Sequence, residues 1–250
     1  MTSIVGILCK DGVVIATDSS ATFVTGQQPT VEQQFEKIDI VGDRVIVAGT
    51  GQIGLGQRFC AIVKKAWEDK VFSSSPIEIS KKLTAATTQD FGQTGVKQGS
   101  YGALVAFPSE HRHHLCEFSV HDFQPELKTD KLWYVSMGSA QPITDTFLGF
   151  IREVFWNDGM PNLHDGIFAA TWILDYAVKV NAGGVNAPVR ISVLEDGKKG
   201  QSEARLLSDD ELGEHRQNID EAKHSLRDFK LKHQLKDQEV IPEIPETQKE

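Results

Sequence analysis

Three stretches of this 250-residue chain carry side chains able to do chemistry. The first is "MTSIVGI", with Thr at position 2. Thr is small enough that an initiator Met before it is commonly trimmed. Trimming leaves Thr2 with a free α-amine beside its own hydroxyl. Such an amine titrates near ~7.7–8.0, so a share of it is neutral at neutral pH and can accept the hydroxyl proton without a histidine. The second stretch is "GTGQIG" (Gly49 to Gly54), which fits the G-x-G-x-x-G spacing of a dinucleotide turn. Glycine also serves any tight strand-to-helix turn, so the motif alone leaves both uses open. The third is "EHRHHLCEFSVH", holding His111, His113, His114, Cys116 and His121. On a strand, His111 and His113 would share one face and His114 and Cys116 the other, without zinc-type ligand spacing. A polar strand end is the expected reading, with no metal and no cofactor.

The elements that must position these residues follow from periodicity and turn signals. "IVGILCKDGVVIATDS" reads as a hairpin turning at Asp11-Gly12, and "FEKIDIVGDRVIVAG" as a second. Helices are predicted over about 52–69 and 76–92, with Pro76 in a first helical turn. Strands "YGALVAF", "HLCEFSVH" and "KLWYVSMG" follow. Next come helices over "PITDTFLGFIREVFW" and "LHDGIFAATWILDYAVKV", and a last hairpin turning at Asp196-Gly197. Strands that follow strands through short turns predict antiparallel sheets. A dinucleotide fold needs a parallel strand after its first helix, with an acidic residue about 20 positions past the glycines. Glu68 and Asp69 fall near that distance but inside a helical pattern, so the dinucleotide reading is set aside.

Composition narrows the class. A net charge of −9 argues against nucleic acid as partner. No apolar run approaches the ~18 residues that a membrane helix needs, and "MTSIVGILCKDG" has no basic leader or cleavage site. With three scattered cysteines, Cys9, Cys60 and Cys116, the expected location is cytoplasmic, with no disulfide framework.

Taken in order, "MTSIVGI", "GVVIATDSSAT", "FEKIDIV", "VAGTG" and "SMGSAQP" resemble the proteasome β-type subunits and their bacterial ring-protease relatives, which are N-terminal-nucleophile threonine peptidases. The resemblance covers about residues 2–207. It implies an α+β fold, a four-layer αββα sandwich, over 1–207. It also implies Thr2 as nucleophile and α-amine base, Lys37 as the active-site lysine and Asp18 as the acid that holds it. Gly49 would be at the oxyanion hole, and Ser139 beside the Thr2 amine. Ser139 has a competing role as cap of the helix after Pro142. Val47, Ala21 and Gly51 match substrate-binding positions, with Val47 implying an apolar preference. The partners implied are copies of the chain itself, as stacked homo-oligomeric rings of two heptamers, and unfolded polypeptide or peptide substrates. A small-amide amidohydrolase and a non-catalytic ring or scaffold subunit are the alternatives.

The sequence also departs from the pattern. In "KVNAGG", Lys179 replaces a family Asp and Ala182 a family Ser, and Gln141 stands where a second serine would follow Ser139. With no propeptide before Met1, these departures point to the bacterial proteasome-homologue group. A C-terminal helical extension is predicted over 208–250, opened by a Ser208/Glu211 capping box. Leu212, His215, Ile219, Ala222, Leu226, Phe229 and His233 form a narrow stripe along it, expected to cover a partner surface, with a neighbouring subunit preferred. "EVIPEIPETQKE" is expected to be disordered.

Overall fold

The computed structural model describes residues 2–25, 28–97, 99–156, 159–180, 184–197 and 200–238. The Pro- and Glu-rich end, expected to be disordered, and Ala182 lie outside them.

Two five-stranded antiparallel sheets form the centre. The first has the order β10 (Tyr134–Gly138), β1 (Ser3–Leu8), β2 (Gly12–Thr17), β11 (Arg190–Asp196), β12 (Ser202–Leu206). The second runs β5 (Ile38–Val41), β6 (Val45–Gly51), β7 (Tyr101–Ser109), β8 (Arg112–Phe118), β9 (Pro125–Leu127). A separate hairpin, β3 (Ser20–Thr25) and β4 (Gln28–Gln34), joins β2 to β5. Each adjacent pair is antiparallel, which excludes the parallel strand that a dinucleotide fold requires.

All residues of β1 and β2 are buried. Apolar residues on both faces of a strand mean that both faces are covered. Helices α3 (Gln141–Phe155) and α4 (Leu163–Lys179) pack on the first sheet. On its other side β1 and β2 meet β6 and β8 of the second sheet. Ile4, Leu8, Ile15, Ile46, Leu104 and Leu115 share one apolar core there. Helices α1 (Ile53–Glu68) and α2 (Pro76–Gln93) cover the second sheet around Phe59, whose ring meets Tyr101, Phe118 and Phe123.

The β3–β4 hairpin and β9 add to the predicted strand order. Pro29 in β4 speaks against a strand in the sequence. β9 is only three residues long.

Helix α5 (Asp209–Gln238) opens with the expected box: the Ser208 N–H donates to Glu211 Oε2 at 2.8 Å, and the Glu211 N–H to Ser208 Oγ at 3.3 Å. Its apolar stripe divides. Leu212, His215 and Ile219 are buried within the chain itself, and Arg216 makes two hydrogen bonds to Asp175 of α4. Leu226 and Phe229 are exposed. The proximal half therefore covers its own α4 rather than a neighbour. None of the helices among the described residues is long and apolar enough to cross a membrane.

Candidate active site

Thr2 immediately precedes β1, and its surroundings come from strand ends. The Ser3 N–H donates to Asp18 Oδ1 at 2.8 Å, just past the end of β2. On the other flank, the Ser139 N–H donates to the Thr2 carbonyl at 2.8 Å. The Thr2 N–H donates to Ser139 Oγ at 3.4 Å, and Ser139 Oγ in turn lies 3.3 Å from the Thr2 carbonyl. Gly138, the last residue of β10, has φ +98, and a Cβ there would stand 2.1 Å from the Thr2 carbonyl oxygen. Glycine is what lets the two chains pass this closely.

Asp18 is wholly buried. Its Oδ1 accepts the Lys37 Nζ at 2.6 Å as well as the Ser3 N–H, and its Oδ2 accepts the Ser20 N–H at 3.0 Å. Both side chains of the ion pair are almost fully covered, at 5% exposure for Lys37 and 0% for Asp18. Breaking such a pair by removing one partner leaves a buried charge, at a cost of ~3–5 kcal/mol. One carboxylate thus ties the lysine ammonium to the backbone next to Thr2. Around it, the hydroxyls of Ser3, Thr17, Ser19 and Ser20 are buried without a hydrogen-bond partner.

Thr2 and Lys37 line one open cavity. Gly49, Gly51, Val47 and Ala21 line it too. Asp18 and Ser139 stand behind its wall rather than on it. Each of the eight site residues that the resemblance implies is therefore in the cavity or one hydrogen bond from a residue that is. The departures stand apart: Lys179 is exposed in the last turn of α4, and Gln141 bonds Asp145 on the surface of α3.

The glycines of "GTGQIG" have unrelated surroundings. A Cβ at Gly49 would overlap the Tyr101 hydroxyl, 2.0 Å away, whereas one at Gly54 would meet nothing within 4 Å. Their fingerprint spacing is incidental. The histidine-rich stretch is likewise structural. His113 Nε2 pairs with Ser202 Oγ, and His114 Nε2 with the Ser109 carbonyl. Among the described residues no group of three or more metal-ligating side chains forms.

A family model described as proteasome subunit matches residues 1–149. The chain belongs to the proteasome subunit family. The match spans more than half of this proteasome-family subunit and includes Thr2, Asp18, Lys37, Gly49 and Ser139. A comparison with curated proteins finds no match.

Other cavity residues were not singled out in the sequence: Ser20, Phe35, Glu36, Asp39 and Tyr101. The signal for two of them was period-2 alternation, because Phe35 and Asp39 flank Lys37 at i±2 in "FEKID". Tyr101 arrives from β7, about 50 residues beyond Gly49, and no local pattern reports that contact.

Proposed function

We propose that this chain is the catalytic subunit of a threonine-type endopeptidase. After Met1 is removed, Thr2 attacks a peptide carbonyl through its hydroxyl oxygen, and its own α-amine takes the proton. The amine portion leaves and an acyl-enzyme ester remains, which water hydrolyses. The observation that carries this reading is that Thr2 and Lys37 share one cavity while a buried Asp18 holds Lys37 and the Ser3 N–H next to Thr2. The Lys37 cation favours the alkoxide form of the Thr2 hydroxyl, and Asp18 keeps that cation in place. Ser139 Oγ, at 3.4 Å from the Thr2 nitrogen, is suited to relay the amine's proton. The Gly49 N–H is our candidate donor for the oxyanion, since a side-chain-free turn admits substrate backbone.

Family membership supports a wider frame, which we also put forward as a proposal. The two sheets with their helix pairs form a four-layer αββα sandwich. The subunits stack as homo-oligomeric rings, two heptamers, in the cytoplasm, and ring walls restrict substrates to unfolded chains or peptides. The altered Lys179 and Gln141 positions favour the bacterial proteasome-homologue group.

Intact-mass analysis of the natively produced protein is expected to show loss of Met1. A β-lactone or epoxyketone probe is expected to add covalently, and Thr2→Ala to abolish that adduct. A trimmed protein that forms rings yet neither reacts with the probe nor cleaves peptides would overturn the proposal.

A further inference from the structure

The cavity beside Thr2 is more acidic than its Val47 position suggests. On β5 and the residue before it, Lys37 and Asp39 alternate onto one face, and Asp39 lies directly opposite Val47 of β6. Asp39 and Glu36 both line the cavity and both are exposed to it. Among the described residues no salt bridge engages either carboxylate. The one lysine or arginine on the lining among the described residues, Lys37, is already held by Asp18. Negative charge is therefore left in excess. Burial, and then the charge of Asp39, push the Cys60 thiol of α1 up to about 11, so Asp39 also acts on the α1 side of the cavity. Lys64 of α1 also acts on Cys60, but no salt bridge joins it to Asp39. Ser20 lines the same cavity, is 99% buried and has no partner for its hydroxyl.

We infer that this cavity is a specificity pocket for a cationic side chain, Lys or Arg, on the acyl side of the cleaved bond, with Asp39 as the residue that selects it. This rests on the proteolytic reading above. Lys and Arg carry a long apolar stem below a charged head. Phe35, Val47, Ile53 and Tyr101 supply apolar wall for the stem, and the Asp39 carboxylate, which meets the Cys60 thiol but no salt-bridge partner, a charge-assisted acceptor for the head. Val47 thus remains a contact of the side chain while Asp39 sets its charge. Glu36 adds to the attraction of cationic peptides.

The test uses the full-length protein and a set of fluorogenic peptides that differ only in Arg, Leu or Glu before the scissile bond. The wild type is expected to favour Arg over Leu by about tenfold or more in kcat/KM. In Asp39→Asn that ratio is expected to fall about tenfold, and Asp39→Lys to turn the preference towards Glu. Fluorescence anisotropy with dye-labelled Arg and Leu peptides reads the same preference without turnover. A wild type that favours Leu, or an Arg preference that survives Asp39→Asn, overturns the inference. Absence of both cleavage and probe labelling at Thr2 would count against the proteolytic reading alone, and the binding ratio would still decide the pocket.

Discussion

Two lysines are buried among the described residues, and they differ in kind. Lys37 and Lys128 are both almost covered and both bond carboxylates at 2.6 Å. Lys128 follows β9 and sits between Glu117 and Glu126, which face each other directly across β8 and β9. Like charges in that relation repel, and Lys128 relieves them. Its partners keep contact with water, at 24% and 58% exposure, whereas the partner of Lys37 has none. Lys37 also lines a cavity with Thr2, and its Asp18 is anchored by two backbone N–H groups. A buried lysine with an acid beside it is therefore not by itself a mark of catalysis. What sets Lys37 apart is a carboxylate fixed by backbone and a hydroxyl within the same cavity.

That contrast can be broken most directly by kinetics. Lys37→Ala is expected to lower the rate of peptide cleavage or probe labelling by about a thousandfold or more, while Lys128→Ala stays within about threefold of wild type. Equal losses in the two would erase the distinction. Stability sharpens it next. Asp18→Ala leaves the Lys37 charge buried and is expected to cost ~3–5 kcal/mol in denaturant unfolding, against ~1 kcal/mol or less for Glu117→Gln. A third variant, Gly138→Ala, is expected to lose ~1–3 kcal/mol and to slow labelling of Thr2, because its new methyl group meets the Thr2 carbonyl.

The smallest effect is in alkaline pH. Burial on its own lowers the Lys128 pKa, but the hydrogen bonds of Glu117 and Glu126 outweigh it and the net direction is upward from 10.5. A raised pKa means stabilisation that is complete below the unfolded value and fades as pH rises through the folded one. Unfolding free energy should therefore decline above about pH 10.5, and Lys128→Met should flatten that part of the profile.

Much of this arrangement was legible because its chemistry is written at strand ends. Thr2, Asp18, Lys37, Gly49 and Ser139 each stand where an apolar run begins or stops, and such boundaries are visible in the sequence. The β3–β4 hairpin was not visible, since Pro29 speaks against a strand where β4 runs. Asp39 could have been found from its i+2 relation to Lys37, but an acid on a strand ordinarily reads as solvated surface. The stripe on α5 was seen whole, and only tertiary contacts divide it. Leu212 and Ile219 have α4 within reach, whereas Leu226 and Phe229 remain exposed. Periodicity specifies which face is apolar, not how far the covering surface extends.

Thr2 is nearly inaccessible once β10 has docked beside β1, and this sets a timetable for synthesis. An aminopeptidase acts most readily on a loose terminus, so on the proposed chemistry trimming is expected to precede the pairing of residues 134–138 with β1. At ~5–20 residues per second, that interval is on the order of ten seconds. Competence as an enzyme would then be decided during translation, by a race between a trimming exopeptidase and the arrival of one late strand.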